Sequence, residues 1–296
     1  MMSSRKILLT GATGFLGSNI LKRIIHENEV AILTRTSSNL EKIREYEGSF
    51  QNFVLEKHDI DTIIRSFRPD VIIHCATDYG RKAVPQIQVI EANLILPLKL
   101  IHAASQTGLK MFINTDTFLD KGINHYSLSK RQFKEWFHTY SKDILCINMV
   151  LEHFYGPFDD KTKFVSFVIS ELMLNKPEIQ LTAGTQKRNF IYIEDVVEAF
   201  HTVLDHNFGC SAGFFDFFIA SELTVTIKDL VLKLKELCGN DTTQLNFGAL
   251  PFRSNEAMDS SIDISAMKAL GWTPKTNLYD GLKSTIETEK NRLQNI

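Results

Sequence analysis

The sequence predicts an α/β fold in which a doubly wound parallel sheet precedes a smaller mixed α+β lobe. Three observations lead there. The first half alternates short apolar runs with longer segments of helical periodicity, the pattern of βαβ units and a parallel sheet. A glycine-rich stretch, Thr10-Gly11-Ala12-Thr13-Gly14-Phe15-Leu16-Gly17, stands directly between the first strand-like run and the first helical segment. Beyond Tyr155-Gly156-Pro157 the alternation loosens into short elements of both kinds.

In order, Lys6–Leu9 reads as the first strand and Ser18–His26 as a short amphipathic helix. Val30–Thr34 and Phe53–Lys57 read as the second and third strands, and Val71–Ala76 as a buried fourth after the turn Arg68-Pro69-Asp70. A long helix is expected over Pro85–Gln106, a fifth strand over Lys110–Asn114, a helix over Tyr126–Ser141 and a sixth strand over Ile144–Val150. The C-terminal part then offers helices at Phe164–Asn175, from Glu194-Asp195 to about Leu204, at Thr226–Cys238 and at Ile264–Leu270. Strands are expected at Arg188–Ile193 and Phe214–Ile219. Asp195 is read first as a helix N-cap.

The composition is that of an ordinary globular chain, with 44% hydrophobic and 23% charged residues. The 33 basic and 35 acidic side chains leave a net charge of −2, so there is no electrostatic footprint for nucleic acid. The polar N-terminus reaches the first strand within five residues, which leaves no room for a signal peptide, and no apolar run approaches bilayer-spanning length. Cys75, Cys146, Cys210 and Cys238 form no CxxC pair, so neither metal nor disulfides are indicated and a cytoplasmic location is expected.

The glycine stretch has the logic of a dinucleotide site. Gly11 permits a tight turn, Gly14 lets backbone approach a pyrophosphate, and Gly17 lets the helix pack closely on the strand. The anion then sits on the free N–H groups of the helix N-terminus. The spacing is GxxGxxG, and a plain strand-to-helix turn is the other reading. At the end of the second strand, where an acid would bind the ribose 2′-hydroxyl, stands Arg35 with Thr34, Thr36, Ser37 and Ser38 around it. Arginine with hydroxyls suits a 2′-phosphate, hence NADP; a solvated loop arginine is the alternative.

Tyr126 and Lys130 are four apart on a helix and share a face. A phenol with a reference pKa of about 10 needs about 4 kcal/mol of preferential phenolate stabilisation to fall three units, which a nearby ammonium helps to supply. An exposed helix pair has the same spacing. Upstream, Asn114-Thr115-Asp116-Thr117 ends a parallel strand, where a hydroxyl is placed to meet a substrate oxygen. Hydroxyl, phenol and ammonium converging on one point are the groups a carbonyl reductase uses to protonate its product alkoxide.

Taken together, the Thr10–Gly17 turn, Asp59-Ile60, Ile73–Ala76, Asn93, Thr115, Tyr126/Lys130, Tyr155-Gly156-Pro157, Arg188–Val196 and Leu270–Pro274 resemble the extended short-chain dehydrogenase/reductase family, the NAD-dependent epimerases and dehydratases. The resemblance covers essentially the whole chain. It implies a Rossmann-type domain over 1–155, with 186–210 returning to it, and a substrate lobe over 156–296. It implies catalytic Thr115, Tyr126 and Lys130. The implied cofactor set is Gly11, Thr13, Gly14, Phe15, Leu16, Gly17, Arg35, Ser37, Asp59, Ile60, Cys75, Ala76, Thr77 and Asn93, with Tyr126 and Lys130. The substrate set is Asp78, Tyr79, Asp116, Thr117, His153, Arg188 and Arg253, the two arginines clamping a nucleotide-sugar diphosphate; Arg81 and Lys82 are further candidates. A homodimer through the helices Pro85–Gln106 and Tyr126–Ser141 follows by the same analogy.

Within that family, His74–Gly80, Asn114–Phe118, Leu151–Pro157 and Phe247–Leu250, followed by Arg253 and Asn255-Glu256, resemble the CDP-abequose synthases. Those enzymes reduce the 4-keto group of a CDP-linked sugar with NADPH in O-antigen synthesis. Thr117 stands where 4,6-dehydratases carry the glutamate that takes the C5 proton, which argues against elimination, and His153 replaces a common asparagine. Only 11 positions separate Thr115 from Tyr126, so the loop between them is short. A 4-epimerase holding NAD and a non-catalytic NADP sensor are the competing expectations. His74 is read as a strand-end hydrogen-bonding residue, and the phenylalanines from Phe208 to Phe218 as core or interface.

Overall fold

The computed structural model describes residues 4–81, 84–253 and 256–294, so Lys82 and Asn255 lie outside the described residues. The elements run β1 (Lys6–Thr10), α1 (Phe15–Ile24), β2 (Glu29–Thr34), β3 (Phe50–Val54), α2 (Ile60–Phe67), β4 (Val71–His74), α3 (Gln86–Ile90), α4 (Leu96–Ser105), β5 (Met111–Thr117), α5 (His125–Thr139) and β6 (Leu145–Leu151). They continue β7 (His153–Tyr155), α6 (Phe164–Met173), β8 (Glu178–Leu181), β9 (Lys187–Tyr192), α7 (Ile193–Asp205), β10 (Gly213–Ile219), β11 (Thr224–Thr226), α8 (Ile227–Cys238), β12 (Gln244–Phe247), α9 (Ser265–Ala269) and α10 (Leu278–Gln294).

Two compact units emerge. The first comprises residues 1–151 and 197–218, the second residues 152–196 and 219–296.

The first unit carries a seven-stranded sheet in the order β3-β2-β1-β4-β5-β6-β10, and the five successive pairs from β3 to β6 are parallel. The order reverses between β1 and β4, and ligands of doubly wound sheets bind outside the carboxyl ends of the strands at such a switch point. β1, β2 and β4 are almost wholly apolar and buried, as parallel strands covered on both faces must be. One core cluster joins Ile72 and Phe112 to Leu100, Ile101 and Ala104 of α4 and to Phe133 and Phe137 of α5.

The segment expected as one helix over Pro85–Gln106 is α3 and α4 joined by a π-helical turn, Glu91–Ile95. Pro97 has no N–H to give and would clash with the carbonyl of Asn93 in a regular α-helix; widening the preceding turn relieves this. Gln86–Ser105 is a 20-residue helical stretch containing an 18-residue window of mean hydropathy 1.3, long and apolar enough by length and composition to cross a membrane. This corrects the expectation that no apolar run reaches that length. The contacts of Leu100, Ile101 and Ala104 in the sheet core show what the apolar side chains do in this fold.

The second unit is mixed, with a three-stranded sheet β11-β9-β7 and a parallel pair β8/β12. Asp195 is corrected here. α7 begins at Ile193, and the Asp195 carboxylate accepts from the backbone N–H of Lys275 (2.8 Å) and Thr276 (3.0 Å), while its carbonyl accepts from the Trp272 indole (3.0 Å). It fastens the 272–276 segment instead of capping a helix. Other differences are of extent: β3 sits three residues earlier than expected, and α2, β7, β8, β11, β12 and α10 were not anticipated. Phe214 packs on Phe137 (centroids 5.7 Å) and Phe217 is buried, so part of the 208–218 aromatic run is core.

Candidate active site

The glycine turn closes over the end of β4. Gly11 adopts φ +71°, and a Cβ there would lie 2.6 Å from Ala76 N, so both backbone conformation and space demand glycine. A Cβ on Gly17 would come within 2.1 Å of the Gly11 carbonyl oxygen, which fixes how closely α1 approaches the turn. Gly14 is the N-cap of α1, makes no side-chain cap, and the first turn holds no acid. The free N–H groups and the helix dipole therefore present a positive end suited to a phosphate. Phe15 and Leu16 point into the core, and Thr13 is half-buried at the turn.

At the end of β2, Arg35 and Ser37 are exposed. Parallel pairing of Thr34 with Val54 carries a carboxylate to the same loop, where Glu56 accepts from Thr36 N at 3.0 Å. That backbone bond, ahead of the Arg35 charge, holds the Glu56 carboxyl below its ordinary range. The sequence showed no acid beside Arg35; strand register supplies one from about twenty residues away. Asp59 N-caps α2, accepting from Thr62 N (2.9 Å) and Thr62 Oγ1 (2.6 Å), and Ile60 opens that helix.

Beyond β4 the chain is held by Asn93, which is fully buried in the π turn. Its Oδ1 accepts from Thr77 Oγ1 (3.0 Å) and Asp78 N (2.9 Å); its Nδ2 donates to Asp78 O (2.8 Å) and Ser129 Oγ (3.1 Å). Ser129 in turn donates to Tyr126 O at 2.9 Å. One amide thus ties the 77–78 loop to the helix that carries Tyr126. Asp78 spends its carboxylate on Gly80 N (2.8 Å). Burial pushes the thiol of Cys75, just beyond β4, up to about 12, so it stays protonated.

The expected catalytic residues Thr115, Tyr126 and Lys130 all belong to the first unit, and two of them, Thr115 and Lys130, meet directly. α5 starts on a reciprocal cap, Asn124 accepting from Ser127 N (2.9 Å) and Ser127 Oγ accepting from Asn124 N (3.3 Å). From there Lys130, fully buried, donates to the Thr115 carbonyl at 2.8 Å. Thr115 Oγ1 donates to the carbonyl of His74 at 3.0 Å, so its lone pairs are what remain for a ligand. Burial lowers the Lys130 ammonium to about 8, with the Asp116 carboxylate opposing that fall. The Tyr126 phenol is held above its ordinary range by burial, with the Thr117 side chain opposing that rise. The Tyr79 ring lies 5.0 Å from that of Tyr126 by centroids, with the Arg81 guanidinium 5.0 Å from the Tyr79 ring on its own account. His74 is neutral: burial, then the Lys130 charge, drives its pKa far down, and its Nδ1 pairs with Thr10 Oγ1 at 2.8 Å while Nε2 has no hydrogen-bond partner among the described residues.

Asp116 faces away from Thr115 into a buried polar ladder. Asn114 Nδ2 donates to Asn148 Oδ1 (2.7 Å), and Asn148 Nδ2 donates to Asp116 Oδ2 (2.9 Å) and Asp216 Oδ1 (2.8 Å). Asp216 is paired with Lys134 (2.8 Å). Asn148, Asp216 and Lys134 were not anticipated; an asparagine within the apolar run Ile144–Val150 is the sequence signal that points to them.

The second unit gathers its own candidates. His153 is pressed to about 4 by burial and then by the charges of Arg188, Lys163 and Arg253. Three cations around a neutral imidazole make an anion-seeking group. Lys163, unanticipated, lies 4.1 Å from the Phe154 ring and 3.2 Å from Asp159. Arg188 also pairs with Glu256 and donates to Ala257 O at 2.6 Å, so its charge already has an acidic neighbour. Arg253 is exposed.

Residues 7–212 match the model of the NAD dependent epimerase/dehydratase family. A CDP-abequose synthase of Salmonella muenchen is 32% identical over 97% of this chain and 99% of the relative. One from Yersinia pseudotuberculosis is 25% identical over 86% and 90%. Among solved structures, UDP-glucose 4-epimerase of Thermotoga maritima with UDP-glucose superposes with a TM-score of 0.86 at 22% identity, covering 97% of this chain and 99% of that one. UDP-glucuronic acid 4-epimerase of Bacillus cereus, in complex with UDP-glucuronic acid and NAD, gives 0.85 at 22% identity over 97% and 99%. The fold is thus the Rossmann-like fold of those enzymes, and with the match spanning the glycine turn, the Asn93 clamp and the Thr115/Tyr126/Lys130 set, the chain belongs to the NAD dependent epimerase/dehydratase family.

Proposed function

We propose that this chain reduces the 4-keto group of a nucleotide-linked 4-keto-6-deoxy or 3,6-dideoxy hexose, CDP-linked, with NADPH, in the synthesis of surface-polysaccharide sugars. The observation that carries the reading is the buried Lys130 ammonium seated on the Thr115 carbonyl, with the Tyr126 phenol, kept protonated by burial, four residues before it on α5. The CDP-abequose synthase relatives support the substrate class. The glycine turn fits a dinucleotide, because side chains are excluded at Gly11 and Gly17 and the α1 N-terminus is uncapped.

When bound, the reduced nicotinamide supplies a hydride to the carbonyl carbon. Tyr126 gives its proton to O4 as charge develops there. A phenol held above its ordinary range is fully protonated at neutral pH and ready for that step. Lys130 stabilises the phenolate left behind, and the Thr115 hydroxyl orients the carbonyl once its hydrogen turns from the His74 carbonyl to O4. Thr117 is no carboxylate and cannot take the C5 proton that elimination requires. His153, Lys163, Arg188 and Arg253 receive the diphosphate, and Arg35 receives the 2′-phosphate. The protein works as a homodimer in the cytoplasm on this reading.

A single observation favours the epimerase alternative: Glu56 sits in the loop where an acid would accept from a ribose 2′-hydroxyl. The two readings part on one experiment. Tyr126→Phe should lower NADPH-dependent turnover by about 10²–10⁴-fold with cofactor affinity nearly intact, the usual worth of a positioned acid. Undiminished turnover removes Tyr126 as the proton donor, and tightly held NAD with epimer interconversion selects the alternative.

A further inference from the structure

We propose that Glu289 and Arg292, near the end of the last helix α10, are positioning residues for the diphosphate site, setting Lys163 through the turn at Phe158. The inference rests on the reading of Lys163 as a residue that receives the diphosphate.

The pattern of α10 marks Glu289 as out of place. Leu282, Thr285 and Ile286 belong to the buried stripe of that helix. Glu289 stands one heptad beyond Leu282 and one turn beyond Thr285, so the stripe runs on into a side chain of which only 19% is exposed. A carboxylate so placed needs a hydrogen-bonding partner. The partner is backbone: Glu289 Oε1 accepts from Phe158 N at 2.8 Å. Arg292, one turn on, holds its guanidinium 5.6 Å from the Phe158 ring and 3.7 Å from the Glu289 carboxylate.

Phe158 is a residue whose conformation has to be held. Its φ is +66°, in the left-handed region that a bulky side chain takes only when its surroundings impose it. Asp159 follows directly. Its buried carboxylate lies 3.2 Å from Lys163 Nζ and accepts from Asp160 N at 2.8 Å. Lys163 Nζ in turn stands 4.1 Å from the ring of Phe154, the neighbour of His153 in β7. Contacts therefore run from α10 to Phe158, along the chain to Asp159, and across to the ammonium.

The helix is a fit support because the rest of it is fastened. Tyr155 Oη donates to the Leu278 carbonyl at 3.3 Å, and a Cβ on Gly281 would collide with the same hydroxyl, so α10 lies close against the end of β7. Tyr192 at the end of β9 shares a 3.2 Å hydrogen bond with Ser284, and Lys290 Nζ donates to the carbonyl of Cys238, the last residue of α8, at 3.1 Å. A bar pinned at β7, β9 and α8 brings Glu289 and Arg292 to the turn. Removing them lets the Phe158 backbone relax, and Asp159 and Lys163 move with it.

The test is the affinity of the full chain for CDP, read by isothermal titration calorimetry, with NADPH affinity measured beside it. Lys163→Ala should weaken CDP about tenfold, the worth of one charge-assisted contact. Glu289→Ala should weaken CDP about three- to tenfold and leave NADPH affinity unchanged. Glu289→Gln, whose amide oxygen still accepts from Phe158 N, should bind CDP as wild type does. In the Lys163→Ala background Glu289→Ala should cost nothing further, because it acts through that lysine. Arg292→Ala leaves the Phe158 N–H bond in place, so it should weaken CDP by a smaller factor and gives the test a second arm if Glu289→Ala does not fold. Wild-type affinity in either alanine variant overturns the role of that residue. A Glu289→Ala loss as large without Lys163 as with it overturns the route through the turn. Wild type that takes up no CDP, or Lys163→Ala that binds it undiminished, overturns the diphosphate reading of Lys163 and the positioning role with it.

Discussion

The two compact units place their polar groups by different means. In the first, a continuous parallel sheet does the positioning: Thr10, His74 and Asn114 lie on neighbouring strands β1, β4 and β5. Thr115, the next residue of β5, reaches the His74 carbonyl at 3.0 Å, and a buried helix brings Lys130 onto the Thr115 carbonyl. In the second, His153 and Arg188 sit on the short paired strands β7 and β9, and Arg253 stands 65 positions beyond Arg188. Other segments of this unit are fastened by individual hydrogen bonds, such as those of Asp195 with 275–276 and of Ser260 with Glu152 (2.6 Å). The contrast separates the tasks. On the proposed function, bond-making chemistry uses groups fixed by a stiff frame, whereas substrate choice would rest on short pieces that change without disturbing the sheet.

That contrast can be broken by mutation, beginning with the largest effect. Phe133→Ala empties a fully buried ring position between the sheet and α5 and should cost about 3–5 kcal/mol, lowering global stability in chemical denaturation. Asp195→Ala leaves two backbone N–H groups without their carboxylate acceptor. It should cost about 3 kcal/mol, with faster hydrogen exchange concentrated at 272–276. If Asp195→Ala instead loosens the parallel sheet as much as Phe133→Ala does, the two units do not hold their sites independently.

How much of this was legible beforehand differs between the units in the same way. Apolar runs such as Val71–His74 announce buried parallel strands, and glycines at 11, 14 and 17 announce the turn, because period and spacing are local signals. The capped helix α5 was placed within a residue or two, since Tyr126 and Lys130 had to share its face. What escaped depends on distant pairing. Glu56 reaches the Arg35 loop only through the β2/β3 register, the Asn148 ladder needs three strands side by side, and Asp195 finds its amides about eighty residues on. β8 and β12 have four residues each, too few for a period to emerge. The π turn at Glu91–Ile95 was hidden because apolar periodicity runs on through Pro97 across the whole of Pro85–Gln106.

Smaller effects sharpen the reading of the first unit. Lys130 titrates near 8, so its charge is present below that pH and lost above it. If the ammonium is what stabilises the phenolate, kcat/KM should fall as pH rises past about 8. The Asp116 carboxylate raises Lys130, so Asp116→Asn should move that fall to lower pH; an unmoved profile would detach the lysine from the titration. If Arg35 receives the 2′-phosphate as proposed, Arg35→Ala should weaken NADPH binding about tenfold more than NADH, of the order expected for a lost charge-assisted contact. Glu56→Gln should shift preference the opposite way, toward NADPH, because it removes a carboxylate facing the same loop. Equal changes for both cofactors would leave Arg35 as a solvated loop residue.

The most direct test of the central claim is to supply a CDP-linked 4-keto-6-deoxy sugar with NADPH and follow cofactor absorbance together with the proton NMR spectrum of the sugar. The account predicts one NADPH oxidised for each new C4–H formed, with deuterium from 4-deuterated NADPH appearing at C4. Interconversion of C4 epimers with no net loss of NADPH, on NAD that remains with the purified protein, would contradict it.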